Sequence, residues 1–284
     1  MSDNAEDIVS KFYNTVGWET NNGITEDAKR WEDLREHAKE YVRKCRLRVL
    51  RHIPNNGENI LDMASGPIQY KEYLEYSKNF EKRYCVDLSS QALEDAKKKI
   101  GDHGVFLCGS FFDITFEENF FDCTVSLHTI YHIDKDEQED AVRKLIYVTK
   151  PGQPIIIVYS NPNPILSRFT RAWNNNHIAT IPSRVLKRIK RMLQKNHPKR
   201  MQKKDSGLYF YAYPIEWWNR FGDVADIKIM PWRSFSSDIQ KRYIPNNKMG
   251  SKMFDMLFNL EERFPEFFVK HFQYLMIILT KRIS

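Results

Sequence analysis

A short apolar run meets a turn of small residues at Ile60-Leu-Asp62-Met-Ala64-Ser-Gly66-Pro67. Small side chains after a strand let backbone N–H groups approach a polar ligand closely, because no bulky Cβ substituent intervenes. A dinucleotide-binding loop has the spacing G-x-G-x-x-G, of which only Gly66 is present here. This stretch therefore favours a ligand smaller than a dinucleotide, one that carries an amino-acid moiety.

A second signal lies one β-α unit later, where the next apolar run ends in Val86-Asp87-Leu-Ser. A carboxylate at the end of the second strand can accept both hydroxyl groups of a ribose, one on each oxygen. The alternative interpretation is a turn glycine at Gly66 followed by an ordinary helix N-cap near Asp87. The order of the two signals, each between an apolar run and a helical pattern, favours the ligand interpretation.

The surrounding chain alternates short apolar runs with helical periodicity, which predicts parallel strands joined by crossover helices. Ligands of such sheets bind beyond the carboxyl ends of the strands, which is where both signals fall. The predicted strands are 59–63, 82–87, 105–108, 121–127, 154–159, 226–231 and 273–280. The predicted helices are 5–13, 26–52, 69–77, 90–100 and 136–148, with further helices near 252–271.

Five stretches in this order resemble the Rossmann-like methyltransferases that depend on S-adenosylmethionine (SAM). They are Leu61–Pro67, Val86–Ser89, Gly109–Phe116, Phe121–His128 and Lys150–Ile157. The resemblance implies an α/β fold with a seven-stranded, mostly parallel sheet, an antiparallel last strand and helices on both faces. It also implies that SAM is the cofactor and that the chain is a methyltransferase.

The resemblance and the composition together divide the chain into four parts of one catalytic domain. These are an N-terminal helical lid (1–56), a SAM-binding core (57–160), a basic and aromatic insertion on the acceptor side (161–222) and C-terminal strands and helices that complete the sheet (223–284).

The resemblance also implies a role for each matching position. Asp62, Ala64, Ser65 and Gly66 line the methionine part of SAM, Asp87 holds the ribose hydroxyls, Leu88 packs on adenine, Ser110 and Phe111 lie at the adenine edge, and Leu127 lies near the sulfonium.

The loop and the adenine edge depart from the family pattern, at three positions in all. Ala64 and Ile68 stand where the loop usually has glycine, and Ser110 stands where an acid usually lies beside adenine. A serine keeps a hydroxyl acceptor but gives up a charge, so adenine recognition is less well supported by the sequence than ribose recognition.

Methyl transfer from SAM needs mainly in-line positioning and a dry site, and a general base helps when the acceptor is a hydroxyl. His128, at the end of the fourth strand, is the first candidate for that base; the alternative is a hydrogen-bonded structural histidine. His132 is a second candidate for the base, although a structural role is the favoured interpretation of this residue. Tyr13 is a third, because Phe12-Tyr13-Asn-Thr-Val-Gly17-Trp18 resembles the segment that closes over SAM.

The acceptor pocket is predicted in the region after residue 160, which is rich in aromatic and basic side chains. Tyr209, Tyr211 and Trp217 offer aromatic faces for a planar or cationic group, and Arg233 is a candidate contact for a carboxylate or phosphate. The period-two spacing of the aromatic residues equally allows them to pack in the core.

The partner is predicted from charge and composition. The formal net charge is +7, and residues 184–204 contain many cations, no acid and an apolar helical face, which suits an anionic membrane surface or an ordinary docked helix. Four scattered cysteines argue against a metal site. The chain shows neither a signal-peptide pattern nor an apolar run of about 20 residues, which favours the cytoplasm with peripheral membrane association as an option. The oligomeric state is not indicated.

The favoured function is methyl transfer to an oxygen or nitrogen of a small metabolite, either phosphorylated, sugar-like or lipid-linked. The alternatives are a membrane-surface lipid or quinone methyltransferase, an RNA methyltransferase and a SAM-binding protein without catalysis. RNA is the least favoured partner, because no recognised nucleic-acid-binding module accompanies the basic stretch.

Overall fold

A mixed sheet of seven strands forms the centre of the protein in the computed structural model, which describes residues 4–21, 23–164 and 207–283. Two short strands, β1 (Thr20–Asn21) and β2 (Ile24–Thr25), pair with each other near the N-terminus. The strands of the large sheet are β3 (Gly57–Met63), β4 (Phe80–Asp87), β5 (Gly104–Cys108), β6 (Cys123–Leu127), β7 (Pro154–Ser160), β8 (Ala225–Arg233) and β9 (Tyr274–Lys281).

The strand order is β5-β4-β3-β6-β7-β9-β8. The five strands from β3 to β7 run parallel to one another, whereas β9 pairs antiparallel with both β7 and β8. The chain leaves β3 toward β4 on one side and returns to β6 on the other, so the topological switch lies between β3 and β6. A ligand crevice is expected at the carboxyl ends of these two strands, and the predicted Rossmann-like sheet is confirmed.

The described residues contain nine α-helices. They are α1 (Ala5–Phe12), α2 (Glu26–Trp31), α3 (Lys39–Leu47), α4 (Lys71–Leu74), α5 (Ser90–Ile100), α6 (Gln138–Val148), α7 (Ser237–Tyr243), α8 (Lys248–Arg263) and α9 (Pro265–His271). In helix α5, the local sequence determines where the helix begins and ends. The Ser89 hydroxyl accepts from Ala92 N–H to cap its start, and Gly101 ends it at φ +52°.

The core has two layers, one on each face of the sheet. Because successive side chains of a strand point to opposite faces, Leu61 and Ile157 join one layer while Ile60 and Ile156 join the other. All four are fully buried, as expected for parallel strands that are covered on both faces.

The predicted single helix over 26–52 is wrong in one respect, because the chain leaves helical geometry between α2 and α3. The Asp33 carboxylate accepts from Arg35 Nε at 2.8 Å and from Arg35 Nη2 at 2.7 Å. Arg35 Nη1 also donates to the carbonyl of Ile244 at 2.8 Å. This contact, 209 residues away in sequence, fixes a bend that local periodicity could not reveal.

The basic stretch 184–204 lies outside the described residues. Within 4–21, 23–164 and 207–283, none of the helices combines the length and apolar character that a bilayer span requires.

Candidate active site

A cavity of about 620 Å³ opens at the carboxyl ends of the parallel strands. Residues that end or directly follow β3 to β7 line it: Met63, Asp87, Gly109, Leu127 and Ser160. Its volume lies within the range of about 300–1,000 Å³ that is usual for small-molecule sites. The sheet topology and the cavity therefore indicate the same location.

The loop after β3 has left-handed backbone angles at Gly66 and at the two positions where the family pattern has further glycines. Ala64, Gly66 and Ile68 all adopt left-handed backbone angles, with φ of 58°, 55° and 49°. Such angles cost a residue with a side chain roughly 1–2 kcal/mol. A Cβ atom at Gly66 would also lie 2.9 Å from the Trp18 ring, so glycine is required there.

Asp87 links this loop to β4. Its Oδ2 accepts from Gly66 N–H at 2.8 Å and its Oδ1 accepts from Ser89 N–H at 2.9 Å. Burial raises the pKa of the Asp87 carboxyl from its ordinary value to about 6. Each carboxylate oxygen has a further lone pair, so the group that shapes the loop can also accept from a diol.

Asp62 lies beside the loop and is neutralised by a buried cation. Arg83 donates to its Oδ2 through Nε at 3.1 Å and through Nη2, and Arg83 Nη1 donates to the Tyr73 carbonyl at 2.6 Å. Arg83 and Asp62 are only 1% and 3% exposed, so the pair is shielded from water. Asp62 still lines the cavity.

The N-terminal segment covers the opening. The Tyr13 ring stacks on Trp18 with centroids 4.8 Å apart, and Trp18 in turn lies against Gly66. The Tyr13 hydroxyl donates to Asp27 Oδ1 at 3.4 Å. Burial, followed by the nearby Glu32 charge, raises the pKa of Asp27 to about 6. Sequence reasoning missed Asp27, because an acid in the first turn of a helix is typical of any helix.

His128 and Tyr131 form another part of the cavity wall. His128 has φ +62°, and its Nδ1 lies 2.9 Å from the Tyr131 hydroxyl. Burial and the nearby Arg233 charge lower the pKa of His128 well below its ordinary value, so the imidazole is neutral at pH 7. A strained backbone in a cavity wall is characteristic of functional sites.

His132 lines the same wall in a different environment. Its Nδ1–H donates to the Tyr209 carbonyl at 2.6 Å, and burial lowers the pKa of its imidazole to about 4. The His132 ring is therefore fixed by a hydrogen bond to the backbone of Tyr209.

The remaining predicted cofactor positions also border the cavity. They are Ala64, Ser65, Leu88, Ser110, Phe111 and Leu127.

Of the four residues predicted to contact the acceptor, only one lines the cavity. Arg233 lines the cavity, whereas Leu208 and Phe210 take the places predicted for Tyr209 and Tyr211. The Tyr209 hydroxyl instead accepts from Lys135 N–H at 3.0 Å.

Trp217 and Tyr211, which are also predicted to contact the acceptor, do not line the cavity either. Trp217 is buried and stacks on Tyr213 with centroids 4.8 Å apart, so it belongs to the core. The Tyr211 backbone N–H donates to the Tyr131 carbonyl and its side chain is exposed. The period-two pattern was present, but the opposite face of the segment meets the cavity.

Residues 61–157 match the family model described as a methyltransferase domain. This stretch of the chain is therefore a methyltransferase domain. Its cofactor is SAM, and among curated protein sequences no significant match is found.

Solved structures of this methyltransferase fold include one of geranyl diphosphate C-methyltransferase from Streptomyces coelicolor A3(2), in complex with Mg²⁺, geranyl diphosphate and S-adenosyl-L-homocysteine. It is 13% identical, each chain is covered to 99%, and the TM-score is 0.53. Haemonchus contortus phosphoethanolamine N-methyltransferase 2 with SAM is 13% identical over 84% of this chain and 53% of its own, with a TM-score of 0.50.

The [4+2]-cyclase SpnF has the same fold. It is 12% identical, 99% of this chain and 98% of that chain are covered, and the TM-score is 0.53. At these identities the similarities establish the fold, and the reaction must be argued from the methyltransferase domain and its cavity.

The residues of the methyltransferase cavity fit SAM. Asp87 has acceptor capacity left for a diol, and the left-handed angles of the loop make room for a close approach.

The affinity for S-adenosylhomocysteine, the demethylated product, is expected to fall as the pH drops below about 6. The folded-state pKa of Asp87 is raised to about 6, so the ionised form that accepts from hydroxyls is present above that pH and lost below it. Calorimetric titrations between pH 5 and 8 should show up to roughly a tenfold loss per pH unit below 6. Asp87→Asn should flatten this dependence; an equally steep dependence in that variant would assign it to another group.

Proposed function

We propose that this chain transfers the methyl group of SAM to a nitrogen or oxygen atom of a small metabolite bound in the inner part of the cavity. The observation that carries this proposal is the continuity of the cavity. It extends without interruption from the loop and Asp87 to Arg233 and Tyr274, which lie outside the matched domain. SAM, when bound, supplies a methyl group that is already activated by the sulfonium.

The charges of the inner part favour an acceptor that donates hydrogen bonds. Arg233 Nη1 donates to Glu32 at 2.8 Å, and Arg46 also pairs with Glu32 at 3.5 Å. These cations are compensated, whereas Asp27 has no ion pair to any residue that the structure describes. An amine that faces Asp27 fits this arrangement better than a phosphate does.

Two pairs of side chains can accept the proton that the methyl acceptor loses. In the first pair, His128 lies beside Tyr131 and is neutral at pH 7, so it has a ring nitrogen that can accept a proton. In the second pair, the Asp27 carboxylate accepts from the Tyr13 hydroxyl. Trp18 and Trp31 also border the cavity and give it apolar ring surface. An amine needs only to lose its proton, and a hydroxyl needs a base while it reacts.

The ligands of the structural neighbours support a small acceptor without selecting one. The Haemonchus contortus N-methyltransferase was solved with phosphomonomethylethanolamine and S-adenosylhomocysteine. The other was solved with geranyl diphosphate and is named a C-methyltransferase.

The test is incubation of the protein with methyl-labelled SAM and a fractionated host extract, with Asp87→Ala as the negative control. Label in water-soluble small molecules supports the proposal. Label in lipid together with binding to anionic liposomes would favour the membrane-surface alternative through residues 184–204. Label in RNA would favour an RNA methyltransferase, and absence of label from every fraction would favour a SAM-binding protein without catalysis.

A further inference from the structure

Glu6 and Ser110 meet at the rim of the cavity although 104 residues separate them in sequence. The Ser110 hydroxyl donates to Glu6 Oε2 at 3.1 Å and accepts from Phe112 N–H at 3.2 Å. Both Glu6 and Ser110 line the cavity. The hydroxyl therefore has a fixed orientation, and it holds the carboxylate of the N-terminal helix beside the position that follows β5.

This carboxylate brings a negative charge next to position 110, where the family pattern has an acid and this chain has none. Ser110 stands where an acid usually lies beside adenine. The amino group of adenine is a hydrogen-bond donor, and a bond from it to an ionised acceptor is stronger than one to a hydroxyl. Glu6 has no ion pair to any residue within 4–21, 23–164 and 207–283, so its charge is not taken up by a described cation.

We propose that Glu6 recognises the adenine amino group of SAM in place of the missing acid at Ser110. The proposal rests on SAM as the cofactor and is independent of the methyl acceptor. Glu6 lies on α1, and the turn after α1 carries Tyr13 and Trp18, which cover the loop at Gly66. Adenine recognition and docking of the N-terminal segment are thus linked in one element, whereas an acid at position 110 would separate them.

Asp7 is a matched control for the alternative that Glu6 only favours the start of α1. Both acids lie in the first turn of the helix, where a negative charge is stabilising, and Asp7 is exposed. A helix-end effect would therefore act on both residues, while recognition of adenine requires Glu6 alone.

The test is calorimetric titration of wild type, Glu6→Gln and Asp7→Asn with S-adenosylhomocysteine and with its 6-oxo analogue, in which a carbonyl replaces the amino group. Glu6→Gln should weaken S-adenosylhomocysteine binding about 10- to 100-fold, as expected for a charged hydrogen bond. It should also reduce the preference for the amino form, because a glutamine amide can donate to the 6-oxo group. Asp7→Asn should match wild type in both respects.

The proposal is overturned if Glu6→Gln retains wild-type affinity and wild-type preference, or if Asp7→Asn loses as much as Glu6→Gln. Both ligands lack the transferable methyl group, so these results do not depend on the acceptor. A failure of the proposed methyl acceptor would leave them unchanged.

Discussion

Replacing His128 by asparagine is expected to lower kcat by roughly 100- to 10,000-fold, the range typical of a lost general base, while the affinity for S-adenosylhomocysteine stays at the wild-type value. His128 is neutral, faces the cavity and lies next to Tyr131. Asparagine is the suitable replacement because it tolerates the left-handed backbone found at this position. The measurement combines steady-state kinetics on the acceptor found with labelled SAM and a calorimetric titration.

Tyr131→Phe is the matched control for this prediction. It removes the hydroxyl that lies 2.9 Å from His128 Nδ1 but leaves the imidazole in place, so a smaller loss of kcat is expected. If His128→Asn retains wild-type kcat, His128 is a structural residue and Asp27 becomes the remaining candidate for the acceptor proton.

Replacing Arg83 by methionine is expected to lower the free energy of unfolding by about 3–5 kcal/mol, the usual effect of leaving a buried charge without its partner. Arg83 is 1% exposed, and its guanidinium donates to Asp62 and to the Tyr73 carbonyl. Methionine keeps much of the apolar volume, so the loss reflects mainly the unpaired Asp62 carboxylate. Urea unfolding followed by circular dichroism measures it.

Arg43→Met provides the comparison for an exposed ion pair. Arg43 Nε donates to Glu40 at 2.8 Å, and the two side chains are 47% and 56% exposed. Such pairs contribute at most about 1 kcal/mol. Equal effects of the two substitutions would contradict the view that Arg83 is needed to compensate Asp62 in the wall of the cofactor cavity.

The sheet and its ligand-binding edge follow from the sequence because they depend on local patterns. The predicted helix 90–100 has the observed bounds of α5, since a serine cap and a terminal glycine flank it and an apolar face runs along it. The apolar runs around Ile60 and Ile156 are likewise continuous, which is typical of strands that are buried on both faces.

The remaining features depend on contacts between distant residues. Arg35 interrupts the predicted long helix because it reaches Ile244, and Glu6 reaches Ser110 from the far end of the chain. Neither pairing has a sequence signature. The aromatic residues near Tyr209 had a clear period, but the face that meets the cavity is set by the packing of Trp217.

Hydrogen–deuterium exchange with and without S-adenosylhomocysteine tests the central claim most directly, because it locates the cofactor on the chain. The expected result is slower exchange in peptides that contain the loop at Gly66, the segment after Asp87, the segment around Ser110 and the covering segment at Tyr13. Slower exchange confined to other parts of the chain, or no change at a ligand concentration well above the calorimetric Kd, would contradict the placement of SAM in this cavity.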